Sequence, residues 1–171
     1  YSGQPAMDPV LRRRSSDYGW HCGDLYDKQI LELGDSSDLQ MGMFFVRRKD
    51  NLLRMIVHPD LTNQVCSAPP YTPLPSPAGM ASMHCAAGVR AKLKAADVDC
   101  CFCQYLAPPA LRWLFGVPPV QKQYLPKSLR SLAAVQELAP TDLVFFRMRV
   151  LPMGWTWSVF LVQLGQAYTL S

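Results

Sequence analysis

Ala96-Asp97-Val98-Asp99-Cys100-Cys101-Phe102 sets two carboxylates, separated by one residue, at the end of a short apolar segment. Carboxylate oxygens are the ligands a hard cation such as Mg²⁺ takes. Facing water at a turn or strand end, the same pair would have no chemistry to do. A second group is cationic: Arg47, Arg48, Lys49 and Arg54 flank Asp50-Asn51. Phosphate oxygens accept charge-assisted hydrogen bonds from such groups, and Arg offers two at once. A charge run at a hairpin tip is otherwise a solvated face. The third group is sulfur. Cys101 and Cys103 alternate as on one strand face, with Cys100 beside them and His84-Cys85 upstream. No second cluster follows at zinc spacing. Buried free thiols in a reducing compartment account better for the six cysteines. None of the three His has a recognisable orienting partner, which leaves a cysteine nucleophile without support.

These groups need elements to position them. Phe44-Phe45-Val46 and Leu52 to Val57 read as two strands around the basic turn, and Asp50-Asn51 tolerates hairpin-tip geometry. Phe145 to Val150 alternates as a strand and runs into Pro152-Met153-Gly154. That Pro-x-Gly turn bends sharply, admits close backbone approach, and launches an apolar helix carrying Ser158 and Gln163. Further helices are expected over Leu25 to Leu33, ended by Gly34, over Ala78 to Lys94, around Leu111, and from Lys127 to Leu138. A strand is expected at Asp97. Ser67 to Pro77 holds five prolines in eleven residues. It reads either as a polyproline II ligand segment or as an extended crossing strand. Residues 1–23 are polar and expected to be poorly ordered. Mixed strands and helices without a βαβ period define an α+β fold.

In this order the motifs resemble those of reverse transcriptases. Val150-Leu151-Pro152-Met153-Gly154 is similar to the family's Leu-Pro-Gln-Gly segment, with Met153 where Gln is common. Phe44 to Val57 looks like the fingers hairpin, and Leu111-Arg112-Trp113-Leu114-Phe115-Gly116 like the short helix after the catalytic strand. The resemblance runs from about Met43 to Gln163. It implies a fingers hairpin plus a partial palm of a right-hand polymerase over residues 24–171, from a retrotransposon-like element. By position it implies that Asp97 is catalytic and binds Mg²⁺, with Val98 beside it at the metal. It makes Phe102 the steric gate against a 2′-hydroxyl. Arg48, Lys49 and Arg54 would face the triphosphate, and Met153 and Gly154 would line the nucleotide pocket. The implied cofactor is Mg²⁺, and the implied partners are an RNA or DNA primer–template and deoxynucleotides. His58 and Asp60 stand where the family has Asp and Arg, whereas Asn63 fits its pattern. The family's aromatic-x-Asp-Asp motif has no counterpart, since no Asp or Glu follows Asp142. A chain that begins at Tyr1 and lacks that motif is expected to be an inactive piece of a longer polyprotein. The alternative is a non-catalytic remnant that binds nucleic acid or a protein partner.

Composition sets the outer limits. Hydrophobic residues make up 49% of 171 residues, enough for one sizeable core, while charged residues are only 18%, which suits faces meant to be covered. The net charge of +4 is spread over separate basic clusters, including Arg90-Lys92-Lys94, Lys122-Lys127-Arg130 and Arg147-Arg149. Such patches attract phosphate backbone without reading sequence. No apolar run reaches the length of a membrane span, and Arg12-Arg13-Arg14 has no apolar core after it, unlike a signal peptide. A reducing intracellular compartment, cytoplasm or nucleus, is the expected location.

Overall fold

A strand whose alternate residues Val144, Phe146 and Met148 are buried, β5 (Leu143–Met148), organises the main sheet. The computed structural model describes residues 7–72, 74, 76–82, 84, 88, 92 and 97–170. Its other strands are β1 (Leu31–Leu33), β2 (Gly42–Arg47), β3 (Leu53–His58) and β4 (Gly116–Gln121). Its α-helices are α1 (Pro9–Arg13), α2 (Ser15–Asp27), α3 (Asp60–Val65), α4 (Pro77–Ala81), α5 (Lys127–Arg130), α6 (Ala133–Gln136) and α7 (Thr156–Leu170). Tight 3₁₀ turns cover Cys101–Gln104, Pro109–Phe115 and Lys122–Tyr124. The fold is α+β.

The main sheet has the order β1-β5-β4, antiparallel throughout. Pro118 and Pro119 have no N–H to give a ladder, and the β4–β5 register shifts between Val117 and Val120. The second sheet is the β2–β3 hairpin, with Met43 opposite Val57 and Arg47 opposite Leu53. It is tied to the main sheet by Met41, whose N–H donates to the Gly116 carbonyl at 2.7 Å. The core lies between the main sheet and the helices around it, and includes Leu31, Phe115, Val117, Phe146, Val150 and Trp155.

The N-terminal expectation is corrected. Residues 9–27 form α1 and α2, and Tyr18, Cys22 and Leu25 enter the core. Those three recur at helical spacing and give one apolar stripe. Asp8 caps α1, accepting from the Val10 N–H at 2.8 Å. Residues 1–6 lie outside the described ones.

Other boundaries move as well. The helix expected over Leu25 to Leu33 is divided: α2 stops at Asp27, Gln29 turns at φ 61°, and β1 adds to the edge of β5. The expected helix over Lys127 to Leu138 breaks into α5 and α6, with extended Leu132 between them. Of the one expected from Ala78 to Lys94, α4 is the described part, and most of the remainder lies outside the described residues. Residues 67–72 of the proline segment join no strand. Among the described residues no helix is long and apolar enough to cross a membrane.

Candidate functional site

The basic hairpin folds as its turn residues dictate. Asn51 takes the left-handed conformation at φ 62°, and Asp50 accepts from the Leu52 N–H at 3.2 Å. The Arg48 N–H closes the turn on the Leu52 carbonyl at 2.8 Å. Arg47, Arg48, Lys49 and Arg54 thereby line one open depression of about 430 Å³ with Val46 and Asp50. Four cations face one carboxylate there, and Arg48 Nη2 holds that carboxylate at 3.1 Å. The remaining cations leave an anion-attracting face at the tip of the molecule's second sheet.

The base of the same hairpin receives the Pro-x-Gly turn. Gly154 has φ 99°, and a Cβ there would stand 3.3 Å from Pro59 Cδ and 3.4 Å from the Val57 carbonyl oxygen. Asn63, on α3 just beyond the hairpin, fixes this turn from both sides. Its Nδ2 donates to the Gly154 carbonyl at 3.1 Å, and its Oδ1 accepts from the Thr156 N–H at 3.0 Å. Fully buried Ser158 donates its hydroxyl to the Pro152 carbonyl at 2.7 Å, so the turn is also held from α7. Met153 projects half-exposed from it. The two tryptophans beside it divide the work. Trp155 packs edge-on to Phe115 at 4.9 Å in the core, and Trp157 donates to the Ser67 carbonyl at 2.7 Å, pinning the start of the proline segment.

His58 and Asp60 pair with each other, Nε2 to Oδ2 at 2.8 Å, on the exposed rim where β3 enters α3.

Asp97 is placed differently from expectation. Residues 97 and 98 are exposed and form no strand. Cys100 turns left-handed at φ 46°, and the Cys103 N–H donates to the Cys100 carbonyl at 2.8 Å, winding the chain into a 3₁₀ turn instead. A strand needs a neighbour to satisfy its backbone. Among the described residues that neighbour is met three residues past Phe102, where Ala107 donates to Arg149 at 2.7 Å and Leu151 to Tyr105 at 2.9 Å. Partly buried Phe102 packs against the core, and this short pairing ties its segment to the one leading into Pro152. The hairpin cations are therefore gathered together, the Pro-x-Gly turn is joined to the hairpin base, and Asp97 and Val98 stand apart as an open segment.

Among the described residues no group of three or more His, Cys, Asp and Glu is placed to hold a metal ion. Described cysteines are unpaired thiols. Buried Cys22 has its pKa pushed up to about 12 by loss of hydration, and burial likewise raises that of Cys103. These are inert thiols rather than nucleophiles. Cys85 lies outside the described residues.

The Arg147-Arg149 cluster, and Lys122 of the Lys122-Lys127-Arg130 cluster, are not available to phosphate. Glu32, directly opposite Arg147 across β1 and β5, takes Arg147 Nε at 2.8 Å, Arg112 Nη1 at 2.8 Å and Arg149 Nε at 3.8 Å. Asp38 adds a contact to Arg147 Nη1 at 3.6 Å. Lys122 spends its ammonium group on the carbonyls of Gln136 and Leu138 at the end of α6. The residue that sequence reasoning left without a role is Asn63. Its fixed spacing from the hairpin was the one signal available. No protein-family model matches the chain, and comparison with curated proteins returns no match.

Proposed function

We propose that this chain is the fingers and the first part of the palm of a reverse transcriptase from a retrotransposon-like element. The parent reaction is templated addition of deoxynucleotides to a primer 3′-hydroxyl. The observation that carries this proposal is the Asn63 clamp. It makes the cationic hairpin and the turn bearing Met153 and Gly154 one unit, as a site gripping a triphosphate at one end and its nucleoside at the other requires. Arg48, Lys49 and Arg54 meet phosphate, Met153 and Gly154 line the nucleotide pocket, and Phe102 discriminates the sugar. Pairing of His58 with Asp60 keeps the entry to α3 fixed despite the exchanged residue types.

Mg²⁺ is the family's metal, yet Asp97 and the Val98 carbonyl offer too few ligands to make a metal centre by themselves. This chain alone is accordingly a binding unit rather than a turning-over enzyme. A second reading, a non-catalytic nucleic-acid- or partner-binding remnant, is favoured by the exposed, strand-free Asp97 segment. Titration with deoxy- and ribonucleoside triphosphates separates the two. The polymerase reading expects a deoxy preference that Phe102→Ala erases. No preference in either protein would leave only the remnant.

A further inference from the structure

A depression of about 370 Å³ that shares no residue with the hairpin groove lies between α2 and the segment Gln123–Arg130. It is built by close approach. A Cβ at Gly19 would collide with the Tyr124 carbonyl, and one at Gly23 with the Pro126 ring, so two glycines spaced a helical turn apart let α2 lie directly on this segment. That contact brings Ser16 and Trp20, which share one face of α2, alongside Tyr124, Lys127 and Arg130.

Two features of this groove are not explained by folding. Trp20 is 65% exposed although it is among the largest apolar side chains and sits beside a well-filled core. Lys127 and Arg130 form no ion pair with a carboxylate among the described residues, in contrast to the arginines held by Glu32. The α2 carboxylates nearest in sequence are occupied, Asp17 by Arg14 at 3.5 Å and Asp24 by Lys28 at 2.7 Å. No acidic side chain lines the depression. An open indole, a half-buried phenol and two uncompensated cations are the parts of a stacking platform with a phosphate track.

We infer that this groove binds single-stranded nucleic acid, with one base stacked on Trp20 and the adjoining phosphates on Lys127 and Arg130. A duplex does not fit the description, because its base faces are already stacked on one another. A peptide of acidic character would use the cations but would gain less from an unobstructed indole. The inference does not depend on the polymerase proposal, since it concerns other residues and requires no nucleoside triphosphate.

The test uses the 171-residue chain and a fluorescein-labelled single-stranded oligonucleotide carrying 5-iodouracil. Irradiation followed by mass spectrometry should place adducts on Trp20 or Tyr124. Anisotropy titrations should show Trp20→Ala weakening binding about tenfold. Lys127→Ala/Arg130→Ala should lower the slope of log affinity against log salt by about 1.4. Trp20 and Lys127 are exposed, and far-UV circular dichroism matching the parent confirms that the variants, including partly buried Arg130→Ala, are folded. Adducts confined to the hairpin peptide, with unchanged affinity in Trp20→Ala, would overturn the inference. Equal binding of a blunt duplex, or loss of self-association rather than of oligonucleotide binding in the groove variants, would overturn it too.

Discussion

The hairpin tip and the main sheet are both rich in arginine, and they use it in opposite ways. On the sheet, Arg112, Arg147 and Arg149 converge on Glu32, with side chains 13–29% exposed. At the tip, Arg47, Lys49 and Arg54 look into an open groove whose single carboxylate is held by Arg48. One set holds two strands, β1 and β5, and the 3₁₀ turn Pro109–Phe115 together, and the other is available to a ligand. The difference lies in a carboxylate contributed from 80 and 115 residues away in sequence, not in the cations themselves.

Breaking the sheet cluster should give the largest effect. Glu32→Ala leaves three guanidinium groups crowded and partly desolvated, and should lower stability by about 3 kcal/mol in chemical denaturation. Arg48→Ala/Lys49→Ala, the matching change at the tip, should stay within about 0.5 kcal/mol of the parent. Equal losses for the two would erase the contrast.

Gly154→Ala comes next. With φ at 99° and the Pro59 ring at 3.3 Å, the substitution should cost about 1–2 kcal/mol and displace the turn, which loss of nucleotide affinity would report. Asn63→Ala removes two hydrogen bonds that are partly open to water and should cost about 1 kcal/mol. Asn63→Asp sharpens the same comparison, since it keeps the acceptor for the Thr156 N–H and loses the donor to the Gly154 carbonyl. An intermediate stability is expected.

The smallest effect concerns the seat of the hairpin on α2. His21 packs edge-on to Phe45 at 5.1 Å and lies 3.5 Å from Met55 Sδ. Burial lowers its pKa from the ordinary 6.5, partly countered by Asp24. The folded state therefore resists protonation that the unfolded chain accepts. The contribution is present above pH 6.5 and is lost progressively as pH falls from there through the lowered folded-state value. His21→Phe should flatten the decline of melting temperature between pH 7 and 5.

What the sequence disclosed was local. Asp50-Asn51 announced the hairpin tip, and the alternation before Pro152 announced a strand, turn and helix. Each depends on residues within a few positions of one another. Helix α2 was hidden because residues 1–23 read as a polar segment, and the partners that seat Gly19 and Gly23, Tyr124 and Pro126, lie a hundred residues on. The three-residue β1 has too short a pattern to be seen and exists because β5 offers an edge. Asp97 looked like a strand end, but among the described residues no neighbouring strand meets it. The cations of the candidate site were visible at once. The Asn63 clamp was not, because its partners lie 91 and 93 residues away.

The central claim is that hairpin and turn form one nucleotide-facing unit. Anisotropy of a labelled primer–template, read with the matching and then with a mismatched deoxynucleoside triphosphate, tests it most directly. The account predicts tighter retention with the matching nucleotide, abolished by Arg48→Ala/Lys49→Ala and weakened by Asn63→Ala. Identical retention with both nucleotides, or a matching effect that survives the hairpin substitutions, would contradict it.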